Sequence, residues 1–253
     1  MTAFGYLVVA VFLPLFPASM LFNRLFARIG GASLRMALLL VWPQLGLLAL
    51  ALLAEPPPAW VVYWAVLTAC FYAFRALALR DLGLWTAHMA TSSWSLLWVV
   101  AMFVRDEKVL ILQAVGLSVP FIILAWLVSR LEVVFGAAYA GTYGGGLAQT
   151  VPRLSLVLVL SLLAAVGTPL FPAFFTLLAT LAQALPVVPA AALTILVVWL
   201  LWAWAGVRMQ RGMVVGPAIV EPRPDLDIPA SLAAGTALAL LAVAGAISLG
   251  YLL

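Results

Sequence analysis

Apolar runs of bilayer-spanning length alternate along the chain with short segments that hold nearly all of its charge. A helix crosses the hydrocarbon core with about 20 apolar residues. Eight runs approach or exceed that length, over roughly 4–25, 33–54, 59–79, 84–104, 109–131, 154–184, 188–207 and 230–252. The sixth is longer than one span needs. It lies between Pro152 and Pro186, is approached through Gly144-Gly145-Gly146-Leu147, and is interrupted by Gly167-Thr168-Pro169-Leu170-Phe171-Pro172. Proline lacks the N–H that would continue a helix, so this run reads as a discontinuous helix; the alternative is a long tilted helix merely kinked at Pro169 and Pro172. Backbone groups freed by a break persist in a membrane only when buried in protein or facing a watery cavity. In transporters such breaks often hold the ion or substrate site. Pro14 and Pro17 predict a kink in the first span and Pro43 one in the second. The expected fold is an all-α integral membrane protein of about eight transmembrane helices, the sixth discontinuous.

Composition agrees. Hydrophobic residues make up 67% of the chain and charged residues 8%, far from the roughly 25% charged residues of a soluble domain. The excess of positive charge serves topology rather than nucleic acid, because it falls in alternate loops. Ten of the twelve basic residues follow the odd-numbered spans: Arg24, Arg28 and Arg35; Arg75 and Arg80; Arg130 and Arg153; and Arg208, Arg211 and Arg223. The other two, Arg105 and Lys108, sit beside Asp106 and Glu107. The positive-inside rule then puts the odd loops in the cytoplasm and both termini outside. The expected location is a bacterial inner (cytoplasmic) membrane. The first run lacks a basic n-region and a small-residue cleavage site, so it reads as a span rather than a cleaved signal.

Few side chains carry chemistry. Cys70 is the single cysteine, which excludes disulfides and cysteine-rich metal sites made by this chain alone. No metal or cofactor site is expected. His88, also single, opens the fourth span beside Thr91, Ser92, Ser93 and Ser95. Ionisable groups inside spans are functional candidates, and hydroxyls there either bond neighbouring helices or line a hydrated path. The ion-path candidates are therefore His88, Ser92, Ser93, Ser95, Ser118, Thr168 and Thr176, with Gly167, Pro169 and Pro172 as the helix break. Trp60, Trp64, Trp85 and Trp98 suit the aromatic belts at the membrane interfaces. Arg130 and Glu132 read as an exposed pair closing the fifth span. The proline-stiffened segment from Glu221 to Asp227 reads as an extended strip, making Arg208, Arg211, Arg223, Asp225 and Asp227 candidates for docking a cytoplasmic partner. No paired carboxylates, activated nucleophile, zinc motif or P-loop points to an enzyme; Gly144-Gly145-Gly146 reads as a hinge or tight turn.

Four short motifs, in order, carry a family resemblance. Asp81-Leu82 leading into Ala90-Thr91-Ser92-Ser93 resembles the "DLK…AYSS" pattern of the antiporter-like subunits of respiratory complex I and of Mrp-type cation/proton antiporters. Gly145-Gly146-Leu147 followed by Pro152 resembles their "GGL…P" approach to a broken helix, and Gly167 to Phe174 is similar to "GLPPLSGF" at the break. Arg208 to Pro217 resembles the "R…R…FGP" turn before a late helix. The resemblance covers about residues 59 to 253.

It implies a fold of two inverted five-helix repeats followed by further helices, in chains about twice this length. On that reading, residues 1–58 are two N-terminal helices, 59–207 the second five-helix repeat, 208–229 a cytoplasmic loop and 230–253 the closing helix; the first repeat is absent unless the first two spans are its remnant. The family's charged residue beyond the break falls on Leu177 or Leu178, its "DLK" lysine on Gly83, and its histidine near Ser118-Val119-Pro120. A charge at the bilayer centre costs at least about 2.5–3.5 kcal/mol and is kept only for use; none is kept between Leu154 and Pro186. Two functions are compatible with this. One is a membrane subunit of a complex I-like or antiporter-like assembly engaged in proton or cation translocation, its ionisable groups supplied by other membrane subunits. The other is a non-conducting member that anchors or couples a cytoplasmic, redox or inorganic-carbon-uptake subunit. The expected partners are other membrane subunits carrying ionisable residues, a cytoplasmic subunit and the lipid bilayer; no nucleic acid is expected.

Overall fold

The computed structural model describes residues 2–53, 55–141, 146–217 and 223–250. They form helices and no strand: α1 (Thr2–Phe12), α2 (Ser19–Arg28), α3 (Ala32–Ala51), α4 (Ala59–Ala76), α5 (Leu82–Ser95), α6 (Leu97–Phe103), α7 (Glu107–Phe135), α8 (Leu147–Thr150), α9 (Pro152–Ala165), α10 (Pro172–Ala184), α11 (Pro189–Val214) and α12 (Ile228–Gly250). Five are long and apolar enough to cross a membrane, namely α3, α4, α7, α11 and α12. The other three runs of the sequence correspond to the pairs α1–α2, α5–α6 and α9–α10, each in two pieces. The protein is an all-α integral membrane protein.

The sixth run is broken as its glycine and prolines predict, but it is not alone. The first span is also broken, where a kink is the sequence expectation. Pro14 and Pro17 each remove a helical donor, and residues ahead of prolines are pushed toward extended backbone; the chain leaves the helix at Leu13 and re-enters at Ser19. The fourth span turns at Leu96 between α5 and α6.

Helix α7 is the axis of the bundle. It packs against α3 and α5 and also against α9, α10 and α12, while α4 packs against both α5 and α11. Small residues admit the closest approaches: a Cβ on Gly46 of α3 would lie 2.7 Å from the Leu13 backbone nitrogen, and one on Gly116 of α7 would lie 3.0 Å from Pro172 Cβ. Both broken helices are thus held against neighbours at the break itself.

Three boundary details differ from expectation. Helix α11 runs on to Val214, because no proline occurs between Pro189 and Pro217; Arg208 and Arg211 therefore stand on a helix rather than in a loop. Glu132 pairs with Arg35 of α3 at 3.4 Å, not with Arg130, which instead lies over the Trp126 ring at 5.5 Å. Residues two apart on a helix do not share a face. Trp85 and Trp98 are each 0% exposed, so they belong to the interior and not to an interfacial belt, whereas Trp60 is exposed.

The arginine-rich loops gather at one end of the bundle. There, the N-terminus of α9 lacks a side-chain cap of its own, and the carboxylate of Asp225 takes that place, accepting from the backbone N–H of Arg153 at 2.9 Å and of Leu154 at 3.0 Å. Arg153 Nη1 donates to the Leu226 carbonyl at 3.2 Å. Of the proposed Glu221–Asp227 strip, Glu221 and Pro222 lie outside the described residues, as do Gly144 and Gly145 of the hinge. Gly146 has a φ of +80° and so little room that a Cβ would run into the Pro217 carbonyl, which accounts for glycine there.

Candidate functional site

The candidates fall around two breaks. At the first, the carbonyls that α1 cannot satisfy are met from outside. Trp42 Nε1 donates to Val11 O at 3.1 Å, Trp98 Nε1 to Leu13 O at 3.0 Å, and Trp64 Nε1 to Phe16 O at 2.7 Å. Ser95 Oγ donates to Pro14 O at 2.6 Å, and the Phe16 N–H donates to Thr68 Oγ1 at 3.1 Å. Three indoles and two hydroxyls from α3, α4, α5 and α6 thus close the break. In this way protein groups satisfy an interrupted backbone that hydrocarbon could not.

Beside it, polar side chains of α2, α4 and α5 form a connected cluster. His88 Nδ1 donates to the Leu84 carbonyl at 2.9 Å, and its ring meets Tyr72 edge-on at 5.3 Å. Tyr72 OH and Ser19 Oγ are 2.9 Å apart. Asn23 Nδ2 donates both to Ser19 O and to Thr91 Oγ1, each at 3.1 Å. Asn23 Oδ1 is buried with no described partner.

Two further hydroxyls, of Ser92 in α5 and Ser118 in α7, are engaged between helices. Ser92 Oγ donates to Ala69 O of α4 at 2.7 Å and accepts from Trp202 Nε1 of α11 at 2.8 Å. Ser118 Oγ accepts from Trp94 Nε1 at 3.1 Å. Ser93 is buried.

At the second break, Gly167 and Leu170 take left-handed backbone, with φ of +69° and +99°. Leu163 O receives both the N–H of Thr168 at 3.2 Å and its hydroxyl at 3.0 Å, and Trp199 Nε1 donates to Gly167 O at 3.1 Å. Thr176 is buried, and its carbonyl accepts from Thr180 Oγ1 at 2.6 Å. Leu177 is 3% exposed and Leu178 47%. Leu177 is therefore the inward-facing residue where the resemblance calls for a charge. Among the described residues no Asp, Glu, Lys or Arg is buried, and no group of acidic, histidine and cysteine side chains could hold a metal.

The two breaks share a pentapeptide, Pro-Leu-Phe-Pro-Ala, at 14–18 and again at 169–173. This internal repeat is the sequence signal that identifies the first break. Its two copies are packed in opposite senses: the first buries Pro14 and Leu15 and exposes Phe16 and Pro17, while the second exposes Pro169 and Leu170 and buries Phe171 and Pro172.

At the end of the bundle away from the arginine-rich loops, a cavity of about 570 Å³ lies between α3 and the α6–α7 turn, lined by Gln44, Glu55, Arg105 and Glu107 among others. Both amide atoms of Gln44 are buried without a described partner.

No protein-family profile and no curated relative matches the chain. Solved structures do. The chain is similar to one in respiratory complex I of Thermus thermophilus at 22% identity and a TM-score of 0.80, covering 96% of this chain and 52% of that one. A chain of the membrane-bound sulfane sulfur reductase, an archaeal respiratory membrane complex, matches at 17% identity and 0.82, with coverage of 96% and 52%. A chain of the Mrp complex of Dietzia sp. DQ12-45-1b matches at 18% identity and 0.75, with coverage of 88% and 44%. The likeness reaches into the first two spans, beyond the region that the motifs cover, and the protein spans about half the length of the solved chains it matches. At these identities the likeness establishes the fold alone: the chain shares the fold of about half of each of these membrane-complex chains.

Proposed function

We propose that the chain is a membrane subunit of a multi-subunit complex I-like or Mrp-like assembly, taking part in proton or cation translocation driven by a partner's activity, with the titratable groups supplied by neighbouring membrane subunits. The observation that carries this reading is the closure of both breaks by indoles and hydroxyls, with Leu177 facing inward where a relay needs a charge. A broken helix sealed in this way keeps its shape but offers no group that changes protonation. The structural neighbours are each named as complexes, which supports a place among other subunits. The repeated pentapeptide, on spans that alternate in direction, supports the first two spans as the remnant of an inverted repeat. Charge placement supports a cytoplasmic arginine-rich end, where Arg211, Arg223 and Asp227 are exposed for a partner and Arg208 is exposed beside them; Asp225 is occupied by the α9 N-terminus.

A second reading, a non-conducting anchor or coupling subunit, is favoured by one observation: the hydroxyls of Ser92, Ser95, Ser118 and Thr168 are all engaged in protein hydrogen bonds. The His88–Tyr72–Ser19–Asn23–Thr91 cluster is the part of the chain able to assist proton entry under the first reading. The purified chain alone, in liposomes loaded with a pH dye, is expected to show little proton flux; saturable flux from the single chain overturns the proposal. Within the intact assembly, flux lowered by His88→Ala supports participation, and flux indifferent to it supports the anchor.

A further inference from the structure

We propose that the pocket between Arg80 and Arg208 binds the phosphate headgroup of an anionic phospholipid whose acyl chain lies along α11. The pocket holds about 270 Å³ and is walled by Leu79 and Arg80, Ala140 and Gly141, and Arg208 and Gly212. Its floor is fixed by the backbone: Ala140 N–H donates to Arg80 O at 2.8 Å, Leu82 N–H to Ala138 O at 2.9 Å, and Gly141 N–H to Gly212 O at 2.7 Å. These bonds bring the α4–α5 turn, the segment after α7 and the end of α11 to one place. Both arginines are exposed, and neither side chain has a hydrogen bond, ion pair or ring contact among the described residues. The nearest acid in sequence, Asp81, is occupied, its carboxylate accepting from Leu84 N–H at 2.7 Å.

What selects a lipid is the surface leading into this pocket. Arg208 ends an exposed apolar stripe of α11 formed by Leu193, Leu196, Leu200 and Trp204, spaced three or four residues apart and so on one helical face. From Leu193 to Trp204, at 1.5 Å per residue, this stripe is roughly 17 Å long, comparable to an acyl chain in one leaflet of a hydrocarbon core about 30 Å thick. Basic pockets between spanning helices are the expected seats of acidic headgroups, and each arginine near the surface strengthens such binding about fivefold. The inference is independent of whether the chain conducts.

Native mass spectrometry of the full chain in detergent tests it, with phosphatidylglycerol, phosphatidylcholine and inorganic phosphate added in turn. Phosphatidylglycerol is expected to be retained in preference to phosphatidylcholine. The double variant Arg80→Gln/Arg208→Gln is expected to lose roughly 25-fold in apparent affinity for it, while Arg208→Lys keeps most of the binding and Arg105→Gln, at the other end of the bundle, keeps all. Equal retention of the two lipids, or an undiminished preference in the double variant, overturns the proposal. Displacement of the lipid by an equal concentration of inorganic phosphate also overturns it, showing a free-anion site. A protein occupant would show as a co-purified chain released by the double variant while its lipid preference stays intact, and that too overturns it.

Discussion

The indole N–H of Trp98 donates to the carbonyl of Leu13 at 3.0 Å, across 85 residues of sequence. In a continuous helix that carbonyl would accept from residue 17, but Pro17 has no N–H to give. Trp98 replaces the missing donor from the neighbouring span. The same substitution of indole for backbone recurs at the second break, between Trp199 and Gly167.

Removing this donor tests how far the first break depends on it. Trp98→Phe keeps an aromatic ring but leaves a buried carbonyl unpaired, at a cost of about 1–3 kcal/mol. Thermal unfolding in detergent should show a lower midpoint for this variant. Trp60→Phe, at an exposed site, should stay within about 0.5 kcal/mol of the parent. Equal midpoints for the two variants would mean that water, not Trp98, satisfies Leu13.

Asp225 ties the chain following α11 to the start of the sixth span. Asp225→Ala deletes a cap that serves two N–H groups and is expected to destabilise by about 0.5–2 kcal/mol. Asp225→Asn retains an acceptor oxygen and should recover most of the loss. A denaturation series comparing the three proteins reads this directly, and a fully stable alanine variant would remove the assigned role.

Two glycines of α12, Gly235 and Gly245, separate packing from propensity. A Cβ on Gly245 would collide with the Leu170 carbonyl at the second break, while one on Gly235 meets nothing within 4 Å. Gly235→Ala should therefore gain up to about 1 kcal/mol from helix propensity. Gly245→Ala should lose about 1–3 kcal/mol through overpacking, measured by the same unfolding assay. Opposite signs are the expected result, and matching gains would show that α12 does not rest on the break.

Much of the architecture is legible in the sequence because the bilayer imposes one rule on every span, and run length with charge alternation expresses it. The break at Gly167–Pro172 is legible for the same reason: proline and glycine act locally. The first break is encoded as well, in the repeated Pro-Leu-Phe-Pro-Ala, and becomes apparent only when the chain is compared with itself. The partners of the candidate hydroxyls are not legible. Ser92 belongs to a serine-rich span whatever its neighbours, but its bonds to Ala69 and Trp202 depend on how α4 and α11 pack around it. Trp85 and Trp98 mislead for a related reason, since position near the end of an apolar run does not fix which way an indole faces.

By itself the sequence determined the solvent, the spans, their alternation and the absence of titratable groups from the sixth span, all of which follow from composition and spacing. Tertiary structure alone decided what each break presents to its surroundings. Identical pentapeptides bury Pro14 and Leu15 at one site and Phe171 and Pro172 at the other. A broken helix has no intrinsic inside: its exposed face and its hydrogen-bond partners are set by the helices that close around it.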